Sequence, residues 1–349
     1  MTETAQFLGY VGTYTKGKSE GIYSFLLDTM AKKITDVKVA ATIENPTYLA
    51  IDKSKNLLVS VAKEEDQGGI ASFAITSNGE LLSKINSQVL DGAPPCHVSI
   101  SNDNTFVLSA NYHKGTIEAY PLNETGQILP PSSVVTHKGT GPDKRQEKAH
   151  AHYAGFSPDQ KYIITVDLGM DEIITYSLEE GLLTKKHSLS VKPGSGPRHL
   201  VFHPTESYAY VMTEFSSEVI VLNYDVEAGS FTHIQTLPTI PNDFKENNQG
   251  SAIHISRDGK FVYVANRGHD SIAIFKIDDH TYELSFVERV SSEGHWPRDF
   301  VLDPTESFVV VSNQESSNLV LFERDIETGK LTLLQSDVTV PDPVCVKFL

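Results

Sequence analysis

Short apolar runs alternate with polar turns along the whole chain, and the alternation repeats as a block. Each block holds one apolar segment, a turn rich in Asp, Ser, Pro or Gly, and a second, more hydrophobic segment. The copies read YLAIDKSKNLLVSVA from Tyr48, HVSISNDNTFVLSAN from His97, YAGFSPDQKYIITVD from Tyr153, HLVFHPTESYAYVMT from His199, AIHISRDGKFVYVAN from Ala252 and DFVLDPTESFVVVSN from Asp299. Residues at the end of the first segment, Asp52, Ser101, Ser157, His203, Ser256 and Asp303, lie 46 to 56 apart. A third segment follows, such as GIASFAI from Gly69 or SIAIFKI from Ser271, and then a more polar fourth, such as LSFVERV from Leu284. Segments of this length rich in β-branched and aromatic residues predict strands. Four strands per period of 40 to 50 residues are the signature of propeller blades.

The two ends complete one further blade. Val344 to Leu349 has the pattern of a first strand and then stops, whereas Phe7 to Thr13 has that of a second strand and GIYSFLL from Gly21 that of a third. The expected architecture is therefore all-β: one domain over residues 1–349, a seven-bladed β-propeller of four antiparallel strands per blade, with the closing blade shared by the N- and C-terminal strands. Such sharing removes exposed sheet edges. Blades one to six are numbered by the copies above, and the shared blade is the seventh.

A first strand starts beside the end of its hairpin partner, so these two positions of every blade meet on one face of the ring, at the mouth of the channel lined by the first strands. The start positions carry His97, His152, Arg198 with His199, and Arg298. The second-strand ends carry Asn111 with Tyr112, Asp167, Glu214, Asn266 with Arg267, and Asn313 with Gln314, and Tyr14 takes this place in the shared blade. The residues differ from blade to blade, which an architectural role does not require and an asymmetric ligand site does. The longest insertion, His137 to Ala149, runs into His150-Ala151-His152 from the same face, and two readings stay open: a fold over this mouth that brings Arg145 near an anion, or a merely solvated loop.

Composition narrows the partners. The formal charge of −16 disfavours nucleic acid and anionic membranes, so an anionic ligand needs a local cationic cluster. No run approaches the ~18 apolar residues of a membrane span, and the N-terminus lacks the basic-then-apolar pattern of a secretory signal, which predicts a cytoplasmic protein. Cys96 and Cys345 belong to blades two and seven, which are not neighbours, so a disulfide is not expected.

Two motifs are set aside on context. Gly12 to Ser19 matches G-x-x-x-x-G-K-[ST], but a strand follows where phosphate binding needs a helix N-terminus. Gly194-Ser195-Gly196 lacks the strand-to-helix setting of a nucleophilic serine. His150 and His152, two apart on a strand, offer a metal pair with Asp167 or Glu214 as a third ligand, yet no spacing enforces it; no cofactor is expected.

Tyr10-Val11-Gly12-Thr13-Tyr14, Arg145-Gln146 followed by His-x-His-x-x-x-Phe-Ser-Pro-Asp up to Asp159, Asp167-Leu168-Gly169, Gly196-Pro197-Arg198-His199 and Tyr263 to Ile272 together resemble the seven-bladed lactonase family. That family includes bacterial cycloisomerase-type 6-phosphogluconolactonases and a fungal carboxymuconate-lactonising enzyme. Ala151 stands where relatives often have proline. The resemblance implies hydrolysis of 6-phosphoglucono-lactone to 6-phosphogluconate in the pentose phosphate pathway, with His152, Arg198, Glu214 and Arg267 as the functional quartet and a phosphorylated sugar lactone as ligand. Tyr14, His97, His150, His199, Asn266, Gln314, Arg145 and Arg298 are candidates to bind it, the last two at its other anionic end. Glu214 or His152 is the expected base. Two alternatives remain open: a lactonising enzyme or lactonase for another acid such as a muconate, and a non-catalytic binding scaffold.

Overall fold

The computed structural model describes residues 5–76 and 79–349. Among these, 28 strands form seven four-stranded antiparallel sheets and no helix is present. Hence no helix is long and apolar enough to cross a membrane. The first strands are Leu49–Ile51, His97–Ile100, Ala151–Phe156, Pro197–Phe202, Gln249–Ile255, Pro297–Leu302 and Pro343–Phe348. They lie side by side in that order around the channel, the last packed on the first.

The seventh sheet runs Pro343–Phe348, Gln6–Thr13, Gly21–Asp28, Lys33–Thr42. Its chain ends pair antiparallel, with Gly9 opposite Phe348 and Gly12 opposite Cys345. The expected closure by both termini is thus what the chain does. Gly12 to Ser19 ends this blade's hairpin: Thr13 Oγ1 meets Ser19 Oγ at 2.6 Å and donates to the Gly21 carbonyl at 2.6 Å.

Blades of this kind cannot bury both faces alone, and the core is accordingly divided. Seven apolar clusters occur among the described residues, one at each blade interface. At the interface of blades six and seven, for example, Phe308, Val310 and Leu319 pack on Val11, Tyr23 and Phe25. Period-two alternation is blurred in the second and third strands because both of their faces are covered, as in Phe261–Arg267, buried throughout.

The repeat's landmark residue has a local job. Asp52 Oδ1 accepts the amides of Asn56 and Leu57 at 2.8 and 2.7 Å. Ser101, Ser157 and Ser256 Oγ accept those of Phe106, Tyr162 and Phe261 at 2.9, 2.9 and 3.0 Å, and Asp303 Oδ1 that of Phe308 at 2.7 Å. Only a short side-chain acceptor reaches back across this tight turn, which is why Asp and Ser recur there. Asp303 is buried and also accepts from Thr305. Asp303→Ala, which strands these donors, is expected to cost about 1–3 kcal/mol. Asp303→Asn, which keeps an acceptor, should cost less; urea midpoints of the two variants check the order.

Candidate active site at the channel mouth

The mouth is built by one backbone device used repeatedly. In blade three, Ala151 and Tyr153 face Asp167 and Val166, which leaves His152 without a partner in the ladder. Arg198, Arg298 and Val344 are left out in the same way in blades four, six and seven. A bulge of this kind re-aims the extra side chain, and all four residues line one cavity of about 390 Å³. In blades four, six and seven the bulge follows proline, and the residue before that proline is left-handed: Gly196, Trp296 and Asp342, with φ between 45° and 66°. At Gly196 a Cβ would fall 2.5 Å from the Phe215 ring, so only glycine fits. Trp296 holds the same conformation, at a cost of order 1–3 kcal/mol, and its ring covers the Arg267 guanidinium at 5.6 Å.

The second-strand ends supply the other ring of mouth residues, with Lys63, Tyr112, Glu214, Arg267 and Tyr14 among the cavity lining. Glu214 is the hub. Its Oε2 accepts from Arg198 Nε at 3.1 Å and from Arg267 Nη2 at 2.8 Å, while Oε1 takes no hydrogen bond among the described residues. Arg198 Nη1 also donates to the Ser251 carbonyl. Arg267 donates to the carbonyls of Gln249 and Gly250 at 3.2 and 2.9 Å. Arg198 Nη2 and Arg267 Nη1 have no hydrogen bond among the described residues and are the donors left for a ligand.

Burial alone would raise the Glu214 carboxyl, but Arg267 and Arg198 outweigh it and leave the pKa below the ordinary carboxylate range. His152 is pushed well below the usual histidine range, first by burial and then by Arg198 and Arg298. Its Nδ1 is covered and unpartnered among the described residues. The site at neutral pH is therefore an ionised carboxylate, a neutral imidazole and charged guanidiniums.

Below this level the channel is plugged. The His97 ring lies 4.3, 4.6 and 5.4 Å from those of Tyr48, Tyr153 and His199, and His199 lies 5.1 Å from His152. Burial pushes His97 down to about 3 and His199 well below its usual value. A second cavity of about 310 Å³ lies on the far side of this aromatic floor, lined by the same four rings with His254 and Lys347.

Of the residues singled out in the sequence, His152, Arg198, Glu214, Arg267, Arg298, Tyr14 and His199 line the mouth cavity and His97 forms part of its floor. Gln314 stands behind Arg298, accepting from its Nη1 at 3.1 Å. Asn266 is buried against Thr239, with Oδ1 accepting from Oγ1 at 2.7 Å. Arg145 pairs with Asp143 at 2.9 Å and lies on the Phe215 ring at 3.8 Å. Its insertion is fastened to blade three, through His137 Nδ1 to Asp167 at 2.7 Å and Gln146 to the Leu168 carbonyl at 2.8 Å, and gives no residue to the cavity. His150 does not join His152: its Nδ1 meets the Tyr112 carbonyl at 2.9 Å and its ring stacks on Tyr112. The bulge at His152 breaks the alternation that would align the two imidazoles, and among the described residues no group of three His, Cys, Asp or Glu side chains is placed to hold a metal. Lys63, Asn45 and Cys96 line the cavity without having been singled out as ligand-binding; Cys96 and Cys345 are both free thiols. The signal for Lys63 and Cys96 was their place in the repeat, equivalent to Glu214 and Arg198.

A family model described as "Lactonase, 7-bladed beta-propeller" matches residues 8–348. The chain belongs to the seven-bladed propeller lactonase family. It is 57% identical over 344 residues, 99% of either chain, to a Bacillus subtilis protein named 6-phosphogluconolactonase. Among solved structures it resembles a Lactobacillus plantarum protein at 43% identity and TM-score 0.95, with 99% of each chain covered. It also resembles a Pseudomonas aeruginosa periplasmic gluconolactonase at 31% identity and TM-score 0.94, again with 99% of each covered. Two such lactonases thus carry names that differ in whether the sugar is phosphorylated.

The neutral imidazoles give a pH signature. As pH falls through about 6.5, unfolded chain takes up protons at His97, His152 and His199 that folded protein refuses, so stability is lost downward through that window. Urea midpoints should fall from about pH 7 to pH 5, and His97→Phe should flatten that slope.

Proposed function

We propose that the protein hydrolyses 6-phosphoglucono-lactone to 6-phosphogluconate, as a cytoplasmic enzyme of the pentose phosphate pathway. The observation that carries this reading is Glu214: an ionised carboxylate with one oxygen clamped by two guanidiniums and the other open to a cavity shared with a neutral imidazole. The 57% identity to a 6-phosphogluconolactonase supplies the substrate class.

In this mechanism the lactone carbonyl lies against Arg198 Nη2 and Arg267 Nη1, whose charge stabilises the oxyanion as water adds. The water's proton passes to the open Oε1 of Glu214 or to His152, both unprotonated at neutral pH. Collapse of the tetrahedral intermediate breaks the bond from the carbonyl carbon to the ring oxygen, and the base returns its proton to that oxygen. The carboxylic acid so formed releases its proton to solvent, and the guanidiniums hold the resulting carboxylate.

The test is the opening rate of freshly prepared 6-phosphoglucono-δ-lactone beside unphosphorylated gluconolactone, corrected for spontaneous hydrolysis, with and without chelator. Chelator-resistant acceleration that prefers the phosphorylated lactone supports the reading; no acceleration of either removes it. Glu214→Gln and His152→Ala, folded as wild type, are expected to lower kcat/KM by roughly 10²- to 10⁴-fold; full activity in both would sink this chemistry. Because both pKa values are depressed, kcat/KM on gluconolactone, which carries no phosphate to titrate near pH 6, should show no break near pH 6.5 and should fall only at more acid pH, which a pH–rate profile checks.

A further inference from the structure

Blades four and six carry the same local construction. Gly196-Pro197-Arg198 and Trp296-Pro297-Arg298 share the left-handed residue, the proline and the bulged arginine. In both, the residue after the facing second strand, Glu214 or Gln314, sends its amide to the carbonyl before the proline, at 2.6 Å to Gly196 and 3.1 Å to Trp296. In both, that residue's side-chain oxygen then meets the bulged arginine at 3.1 Å. The two pairs differ in charge. Glu214 is a carboxylate, already shared with Arg267; Gln314 is an amide, so it orients Arg298 without neutralising it.

Arg298 has no ion pair among the described residues. Its neighbour Asp299 has its carboxylate engaged by Lys347 at 3.7 Å, His254 at 3.3 Å and the Val346 amide at 3.0 Å. The guanidinium also lies over the Tyr14 ring, 5.2 Å from its centre. Gln314 is itself fixed by Nε2 donating to Glu315 at 2.9 Å, which turns Oε1 toward the arginine. In a ring of seven, blades six and seven stand opposite blade three, so Arg298 and Tyr14 face His152 across the mouth. Lys63, next round the rim in blade one, is paired with Glu44 at 2.8 Å.

We infer that Arg298, set by Gln314 and Tyr14, is the site for the substrate's phosphate ester, so that the lactone spans the mouth with its carbonyl toward blades three to five and its phosphate toward blades six and seven. This assignment rests on the lactonase reading and adds what selects a phosphorylated lactone over a plain one. Arg298 binds the dianion through donors that Gln314 leaves free, and Gln314 is a positioning residue. Retaining an amide here keeps the guanidinium's charge for the ligand, because a paired arginine would have to exchange one carboxylate for another anion.

The experiment compares Arg298→Ala, Gln314→Glu and Gln314→Ala. Gln314→Glu is nearly isosteric and rebuilds in blade six the ion pair of blade four. For each variant, kcat/KM is measured on 6-phosphoglucono-δ-lactone and on gluconolactone, and binding of 6-phosphogluconate and inorganic phosphate is measured by calorimetry. The expected result is that the phosphorylated-to-plain ratio of kcat/KM falls about 10- to 100-fold in Arg298→Ala and Gln314→Glu, mainly through KM. Gln314→Ala should lose less, and binding of both phosphate ligands should weaken in the same order. An unchanged ratio in Arg298→Ala and Gln314→Glu overturns the assignment, as does an equal loss on both lactones through kcat. Should wild type open neither lactone yet bind 6-phosphogluconate through Arg298, the hydrolase reading fails and the phosphate site stands.

Discussion

Ring closure is the constraint on which the structure depends. No blade has a core of its own; each apolar cluster belongs to two neighbours. The pairing of Pro343–Phe348 with Gln6–Thr13 therefore holds more than the seventh sheet. It fixes the distance between blades six and one, and through them the circumference on which the mouth residues stand. Local packing errors cannot be absorbed at an end blade, because every blade has a neighbour on both sides.

On that rigid ring the site is made by irregularities. Regular strands would send alternate side chains into the channel and into the blade interfaces, which gives the floor of Tyr48, His97, Tyr153 and His199. In blades three, four, six and seven the bulge adds one more residue at the rim, and the slot is free to differ between them because it takes no part in the ladder. His152, Arg198, Arg298 and Val344 occupy equivalent slots. Asymmetric chemistry is thereby laid over symmetric architecture, with guanidiniums and carboxylate held by backbone carbonyls and by each other.

Much of this was legible in the sequence, for identifiable reasons. The landmark Asp and Ser recur because a turn amide needs them, so they report blade number and register directly. The shared blade was readable because each terminal segment lacks the partner that the other provides. The mouth as a place was readable from hairpin geometry, and family resemblance pointed to the same quartet. What sequence could not give was side-chain direction. His150 and His152 look alike at two-residue spacing until a bulge separates them. Arg145 looks like a free cation until Asp143, two residues before it, takes up its charge. Asn266 shares the polar signature of the rim, but its amide is consumed by Thr239.

The aromatic floor changes how traffic through the molecule must run. A propeller channel has two openings, and a ligand could in principle enter by one and leave by the other. With His97 wedged between Tyr48, Tyr153 and His199, the axis is divided into two blind chambers that share a wall. The upper chamber has a single door: whatever occupies it must depart past the same arginines that admitted it, and the next occupant must wait for that exit.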